Sequence, residues 1–437
     1  EGKKGEKVQV KYDGHFAWDR ATILPDYPDV PTQLQAAITG STRTGDPNPE
    51  LFGMYFTQML PYAMAWKEQH SGRKGYSEMQ PFQSMDNVGD YYFNGSQPFY
   101  YADYDIQDIW YNKAAPSQSH NVSLSGSSGR TSYYTSFGYD YKQDLKEFNP
   151  GKFSRYNFTA NLRTDVTDWL TVGTRINFIR RNDSKADAYN YVYQYLWRWG
   201  SFFIPSGYMY DENGEKLDYR VIAMQKQANR KVRIHDQTRF NAYAIAHITK
   251  DLTFNVDYTY QIDNINDSAG DHLVYGMNWS GVSPQYIFGK TSSTVVRQNE
   301  KQNRWTANAY VNYNHTWLDA HNFSAMVGIN GERFKSDMMY ADRMLAYNED
   351  YPELNLTYGD MAKATIKSST GDRSTAGYFG RINYDYKGIY LLELNGRYDG
   401  SSRFPAGDKW AFFPSMSLGS RFTEEGYWKN LHDVISN

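Results

Sequence analysis

The chain has 437 residues and not one cysteine. Disulfides, thiolate nucleophiles and cysteine-ligated metals are therefore excluded. No apolar run approaches the ~18 consecutive residues that a membrane helix needs, and the mean hydropathy is -0.75. A helical membrane protein is excluded. A membrane β-barrel is not, because its strands alternate and average out as polar. Excess charge is missing too: the net value of -3 gives no basis for a general nucleic-acid binder, so no nucleic-acid partner is expected. No HExxH, no GxSxG and no phosphate-cradling P-loop occurs, so neither an enzymatic activity nor a cofactor is expected.

What the chain does have is aromatic residues: 40 Tyr, 23 Phe and 11 Trp, together 17%. Such rings suit surfaces that are apolar at one end and wet at the other, including membrane interfaces and sugar-binding surfaces. They fall into a strict period of two. In KVQVKYDGHFAWD, Val8, Val10, Tyr12, Gly14, Phe16 and Trp18 share one side of an extended strand; Lys7, Gln9, Lys11, Asp13 and His15 share the other. The same alternation returns near 133–141, 156–163, 170–178, 240–262, 305–313, 323–330, 378–386 and 390–398. No charge sits on the apolar side of these runs. About twelve strands of roughly ten residues are expected, the length of a tilted membrane-spanning strand.

The connections alternate as well. GSSGR, DVTD, TKD and KG join neighbouring runs tightly. Between these hairpins lie long connections, expected at about 20–118, 182–235, 264–302, 335–373 and 399–410. Short turns on one side and long loops on the other are the signature of an outer-membrane barrel, with periplasmic turns and extracellular loops. A soluble β-sandwich explains any single run equally well, yet does not favour this alternation of turn lengths. Phe16, Trp18, Trp169, Trp317 and Trp428 stand at strand ends or turns, as in an aromatic girdle.

Three blocks then carry a resemblance. SHNVSLSGSSGRTSYYTSFGYDYKQD, FSRYNFTANLRTDVTDWLTVGTRINF and LNGRYDGSSRFPAGDKWAFFPSMSLGSRFTEE resemble, in order and spacing, the SusC/RagA family of TonB-dependent outer-membrane transporters; FFIPSGYMYDENGE is a looser match. Ser420 departs from the family, which usually shows Trp after that glycine. The resemblance implies an all-β, transmembrane antiparallel barrel of about 22 strands, of which this chain supplies about the first twelve. On this reading the chain is a fragment: residues 1–437 are a partial barrel domain, with the first strand at 1–18, a long extracellular loop at 19–118, and about eleven further strands and loops at 119–437. The resemblance further implies TonB-dependent active import of a large nutrient across the outer membrane of a Gram-negative bacterium. The cargo expected is a glycan oligosaccharide, with an oligopeptide or a surface adhesin role as alternatives. The partners implied are a SusD-like surface lipoprotein, TonB, a plug domain missing from this chain, and outer-membrane lipid.

Candidate residues follow from both readings. Tyr193, Tyr195, Trp197, Trp199, Phe202 and Phe203 are too many rings for a solvated loop. They pack within a loop bundle, meet the lid protein, or stack on ligand; Trp110 in YYADYDIQDIWYN poses the same choice. Lys11, Asp13, Arg155, Arg163, Arg175, Asn177, Arg239, Asp257, Arg381 and Arg397 are expected to face the lumen. No metal site is expected: Asp263, Asp267 and Asp271 are read as carboxylates of a solvated external loop, with Ca²⁺ held by these hard oxygen ligands as the lesser alternative, since the spacing is not that of an EF-hand.

Overall fold

The computed structural model describes residues 7–24, 26–51, 54–95, 98–187, 206–277, 284–286 and 292–422. Twelve strands form one antiparallel sheet in which sequence neighbours are spatial neighbours throughout. They are β1 (Gln9–Asp19), β2 (Ala115–Ser128), β3 (Thr131–Gln143), β4 (Lys152–Asp165), β5 (Leu170–Ala186) and β6 (Arg230–His247). The second half is β7 (Leu252–Ala269), β8 (Thr294–Trp317), β9 (His321–Met344), β10 (Thr365–Tyr386), β11 (Tyr390–Ser401) and β12 (Trp410–Ser420). Among the described residues β1 and β12 do not pair, so the sheet is an open meander with two free edges.

Register explains the alternation. On one face Val172, Ala244, Val256, Ala309, Ile329, Tyr378, Tyr398 and Phe412 stand opposite one another across eight consecutive strands. Tyr12, Val122, Phe137, Phe158 and Phe178 make an equivalent row across the first five. Among the described residues nothing covers these rows: Ile329, Tyr378 and Phe412 are 52%, 60% and 62% exposed. A soluble sandwich would bury them, so the sandwich reading is set aside.

The strands are longer than expected. β8 and β9 have 24 residues each and β10 has 22. The apolar side of β9 runs Phe323, Ala325, Val327 and Ile329, then continues past Gly331 as Arg333, Lys335 and Asp337. Only the turn-proximal part carries the apolar belt, and the polar extensions lack the alternation that betrays a strand. The connections expected at 182–235, 264–302 and 335–373 therefore shrink to 187–229, 270–293 and 345–364. At the other end the turns are tight. In Tyr386–Ile389 both Lys387 (φ 55°) and Gly388 (φ 69°) take left-handed backbone, the geometry of a hairpin turn that suits the strand twist.

The buried core lies outside the sheet. Long connections fold into a body with helices α1 (Val30–Arg43), α2 (Phe56–Gln69), α3 (Ile106–Trp110) and α4 (Arg220–Lys226). Helix α1 starts where the Asp29 carboxylate accepts the Thr32 N–H at 2.8 Å, with a proline in the first turn. Its Leu34 is buried with Trp66 of α2, Tyr101, Tyr104, Ile222 of α4 and Met277. Each large apolar side chain so buried contributes roughly 1.5–3 kcal/mol. The segment DENG is the expected hairpin turn, with Asp211 accepting the N–H groups of Asn213 (2.9 Å) and Glu215 (2.7 Å).

This body is bolted to the sheet through the connection after β3. Arg230, at the start of β6, donates to Ser184 Oγ (2.7 Å), Ser184 O (2.8 Å), Pro150 O (3.0 Å) and Asn149 Oδ1. Asn149 in turn donates to Ala228 O at 2.9 Å. Lys226 of α4 donates to Asp218 (3.1 Å) and to the Tyr76 hydroxyl (2.6 Å), and lies over the Phe148 ring at 4.7 Å.

Candidate functional site

The second face of the sheet is polar, and its register rows alternate with the apolar ones. One row reads Asn161, Arg175, Asn241, Thr259, Thr306 and Glu332; the next reads Asn177, Arg239, Gln261, Arg304, Phe334 and Arg373. Side chains of β4 to β9 on this face enclose a recess of about 560 Å³, lined among others by Arg163, Arg175, Arg239, Asp257, Arg304 and Glu332. Four guanidiniums against two carboxylates give the recess a positive field.

The structure brings Arg163, Arg175, Asn177, Arg239 and Asp257 together in this recess. Arg175 stacks on the Tyr243 ring, its carbon 4.9 Å from the centroid. Arg239 donates twice to Gln261 Oε1, at 3.0 and 2.7 Å, and Asp257 accepts from the Asn308 amide at 3.1 and 3.2 Å. The other polar-face candidates lie apart and are engaged locally. Lys11 pairs with Asp13 on edge strand β1 (3.1 Å), Arg155 with Asp140 (3.0 Å) and Arg397 with Asp399 (2.9 Å), while Arg381 donates to Asn395 (2.7 Å).

The acidic run DNINDSAGD is corrected from loop to strand: Asp263 and Asp267 both belong to β7, which ends at Ala269. Asp263 accepts from His235 (2.8 Å), Gln237 (2.9 Å) and Gln261 (2.7 Å); Asp267 is held by both nitrogens of the Arg233 fork at 2.7 Å. Carboxylates so neutralised by protein donors are not arranged as a cation cage. Among the described residues no group of three metal-ligating side chains comes together.

Of the aromatic candidates, Tyr193, Tyr195, Trp197, Trp199, Phe202 and Phe203 lie outside the described residues, as does Trp428. Trp110 is 2% exposed and stands edge-on to Phe148 at 5.6 Å, inside the core of the loop body. Burial holds the Tyr100 and Tyr104 hydroxyls of the same core well above the usual tyrosine range, aided by neighbouring phenols and, for Tyr104, by Asp90.

Sequence reasoning missed Tyr243, Glu332, Phe334 and Arg373. Tyr243 and Phe334 are rings on the polar face, so alternation by residue type assigns them to the wrong side. Arg373 fell inside a stretch read as loop. Arg304 was legible as a polar-face residue but lacked a reason to stand out. Counting strictly odd and even positions from each tight turn would have found all five.

No model of a known protein family matches the chain. Curated relatives do. TonB-dependent receptor P26 of Formosa agariphila is 25% identical over 327 residues, which are 72% of this chain and 31% of that protein. TonB-dependent receptor SusC of Bacteroides thetaiotaomicron is 30% identical over 200 residues, 43% of this chain and 18% of its own. Against P26 the chain thus spans about a third of the relative's length. Among solved structures, the RagAB peptide transporter has a similar fold, with a TM-score of 0.70 and 17% identity over 97% of this chain and 46% of that one. The three motif blocks, the sequence relatives and the two-faced meander agree: over most of its length the chain is similar to part of the TonB-dependent receptors, SusC among them, and it shares its fold with the RagAB transporter.

Proposed function

We propose that the chain forms part of the wall of an outer-membrane importer that moves a large nutrient inward without altering it chemically. The observation that carries this reading is the pair of apolar rows, eight and five strands wide, left uncovered on one face while the opposite face is a polar recess. Lipid satisfies the first face and a water-filled lumen the second. Import would be driven by TonB acting on a plug domain, with a SusD-like surface lipoprotein closing over the long connections. The cargo we favour is a glycan oligosaccharide, whose hydroxyls suit the Asn, Thr and Arg rows of the polar face.

An oligopeptide cargo is the second reading, favoured by the fold shared with a peptide transporter. A surface adhesin would use the same apolar belt without plug or lid. Membrane fractionation comes first: the protein is expected in the outer membrane, extracted only by detergent, with a lipoprotein copurifying. Deletion of the locus is then expected to abolish growth on one glycan and spare peptides. Loss of peptide uptake alone would exclude the glycan reading, and recovery of the protein in the soluble fraction would exclude the importer.

A further inference from the structure

One row of the polar face has an unusual composition. Arg239, Gln261, Arg304, Phe334 and Arg373 are successive register partners on β6 to β10. Three arginines thus stand on alternate strands, roughly 10 Å apart at the usual strand spacing. Their charges are poorly matched. Among the described residues Arg239 is bonded only to the neutral Gln261, and Arg373 has the Phe334 ring as its neighbour, 4.2 Å from the centroid. Arg304 lies over the same ring at 5.5 Å. Its closest carboxylate, Glu332, is 4.0 Å away, and its buried Nε has no hydrogen-bond partner. The other acid beside the row, Asp263, is already held by His235, Gln237 and Gln261.

Stacking on a ring leaves the N–H donors of a guanidinium pointing outward in its own plane, a fork that matches a carboxylate. The row also has a definite height. Arg304 precedes Trp305, the last aromatic of the apolar belt on β8, and Arg373 lies beyond Tyr378 of the belt on β10. It sits where the belt ends, toward the long connections. An incoming chain would meet it before the middle of the wall.

We propose that Arg239, Arg304 and Arg373 form a carboxylate-binding row that receives an acidic oligosaccharide, a chain of uronate sugars, as it enters. This rests on the import reading and adds a charge class to the cargo. Regularly spaced carboxylates on one extended ligand would engage alternate strands in turn, and Phe334 would hold two of the receiving forks in place.

The test uses the full-length protein in detergent, titrated calorimetrically with tetragalacturonate, with neutral tetragalactose and with hexaglutamate. Tetragalacturonate is expected to bind more tightly than tetragalactose, the difference shrinking as salt is raised. Arg304→Gln and Arg373→Gln are each expected to weaken it by about tenfold, and the Lys variants by less. Gel migration with and without heating verifies that each variant is a folded barrel. Unchanged affinity in the double Gln variant would overturn the row. Preference for hexaglutamate would overturn the glycan. Failure to bind either acid, with a lowered unfolding temperature of the double variant, would assign the row to acidic side chains of the protein itself. Loss of growth on a neutral glycan after deletion, with the Gln variants fully active, leaves import standing and removes the row. Intact oligouronate binding with no uptake defect does the reverse.

Discussion

Tyr243 lies flat over Gly173, its register partner on the neighbouring strand: a Cβ built on that glycine would stand 2.3 Å from the tyrosine Cζ. The ring fills the place of a side chain, and the Arg175 guanidinium caps it at 4.9 Å. An aromatic residue shielding a strand glycine in this way pins the register of two adjacent strands.

Substitution at this contact is therefore expected to be costly only while the ring is present. Gly173→Val should destabilise the barrel by about 1–3 kcal/mol through overpacking. In a Tyr243→Ala background the same change should be nearly silent. A double-mutant cycle on thermal unfolding of the detergent-extracted protein measures the coupling.

The two faces of β8 offer a sharper contrast. Ala309 belongs to the apolar row and its chain neighbour Asn308 to the polar one. Ala309→Arg should cost about 2–4 kcal/mol if that row lies near the bilayer midplane, whereas Asn308→Arg should insert normally. Yield of heat-modifiable protein in outer-membrane fractions distinguishes them. Equal tolerance would contradict the lipid-facing assignment.

Within the loop body, Asp90 is the electrostatic keystone. Its side chain is 3% exposed; it accepts from Trp66 Nε1 (3.1 Å) and the Gln80 N–H (2.7 Å), and pairs with Lys74. Asp90→Ala strands a partly buried ammonium and an indole N–H, a loss of about 3–5 kcal/mol. Trypsin should then cleave within the connection between β1 and β2 while the sheet stays intact on a gel. Protection equal to wild type would show that the apolar core alone holds the body.

The start of α1 carries a pH prediction. Partial burial would raise the Asp29 carboxyl, but hydrogen bonds from Lys67 and Thr32 outweigh it and bring the group from 3.8 down to about 2. A folded-state value below the unfolded one gives stability that is present above pH 3.8 and is lost as pH falls toward 2. Amide exchange in Val30–Arg43 should therefore accelerate across that window in the wild type. In Asp29→Asn the window should disappear.

Much of this protein was legible in its sequence, and the reason is periodicity. Wherever one strand face meets lipid and the other water, side-chain chemistry must alternate, so the turn-proximal strands and their tight turns could be placed from Val8–Trp18 onward. The polar extensions of β8, β9 and β10 could not. Both of their faces are wet, so Lys335 and Asp337 read as loop, and for the same reason Asp263 and Asp267 of β7 read as part of an external loop.

The recess and the arginine row were hidden for a different reason. Arg239, Arg304 and Arg373 are far apart in the chain, and only strand stagger decides which residues stand opposite one another. A shift of two residues in any register would keep every apolar side chain on its face and still scatter the row. Trp110 tells the same story in the loop body, where its ring meets Phe148 from a different connection in a core that no local pattern announces. The sequence by itself determined which face each strand residue takes, because that depends on the chain's own period. Which residues meet across strands was decided by the tertiary structure alone, because hydrogen-bond register is a property of pairs.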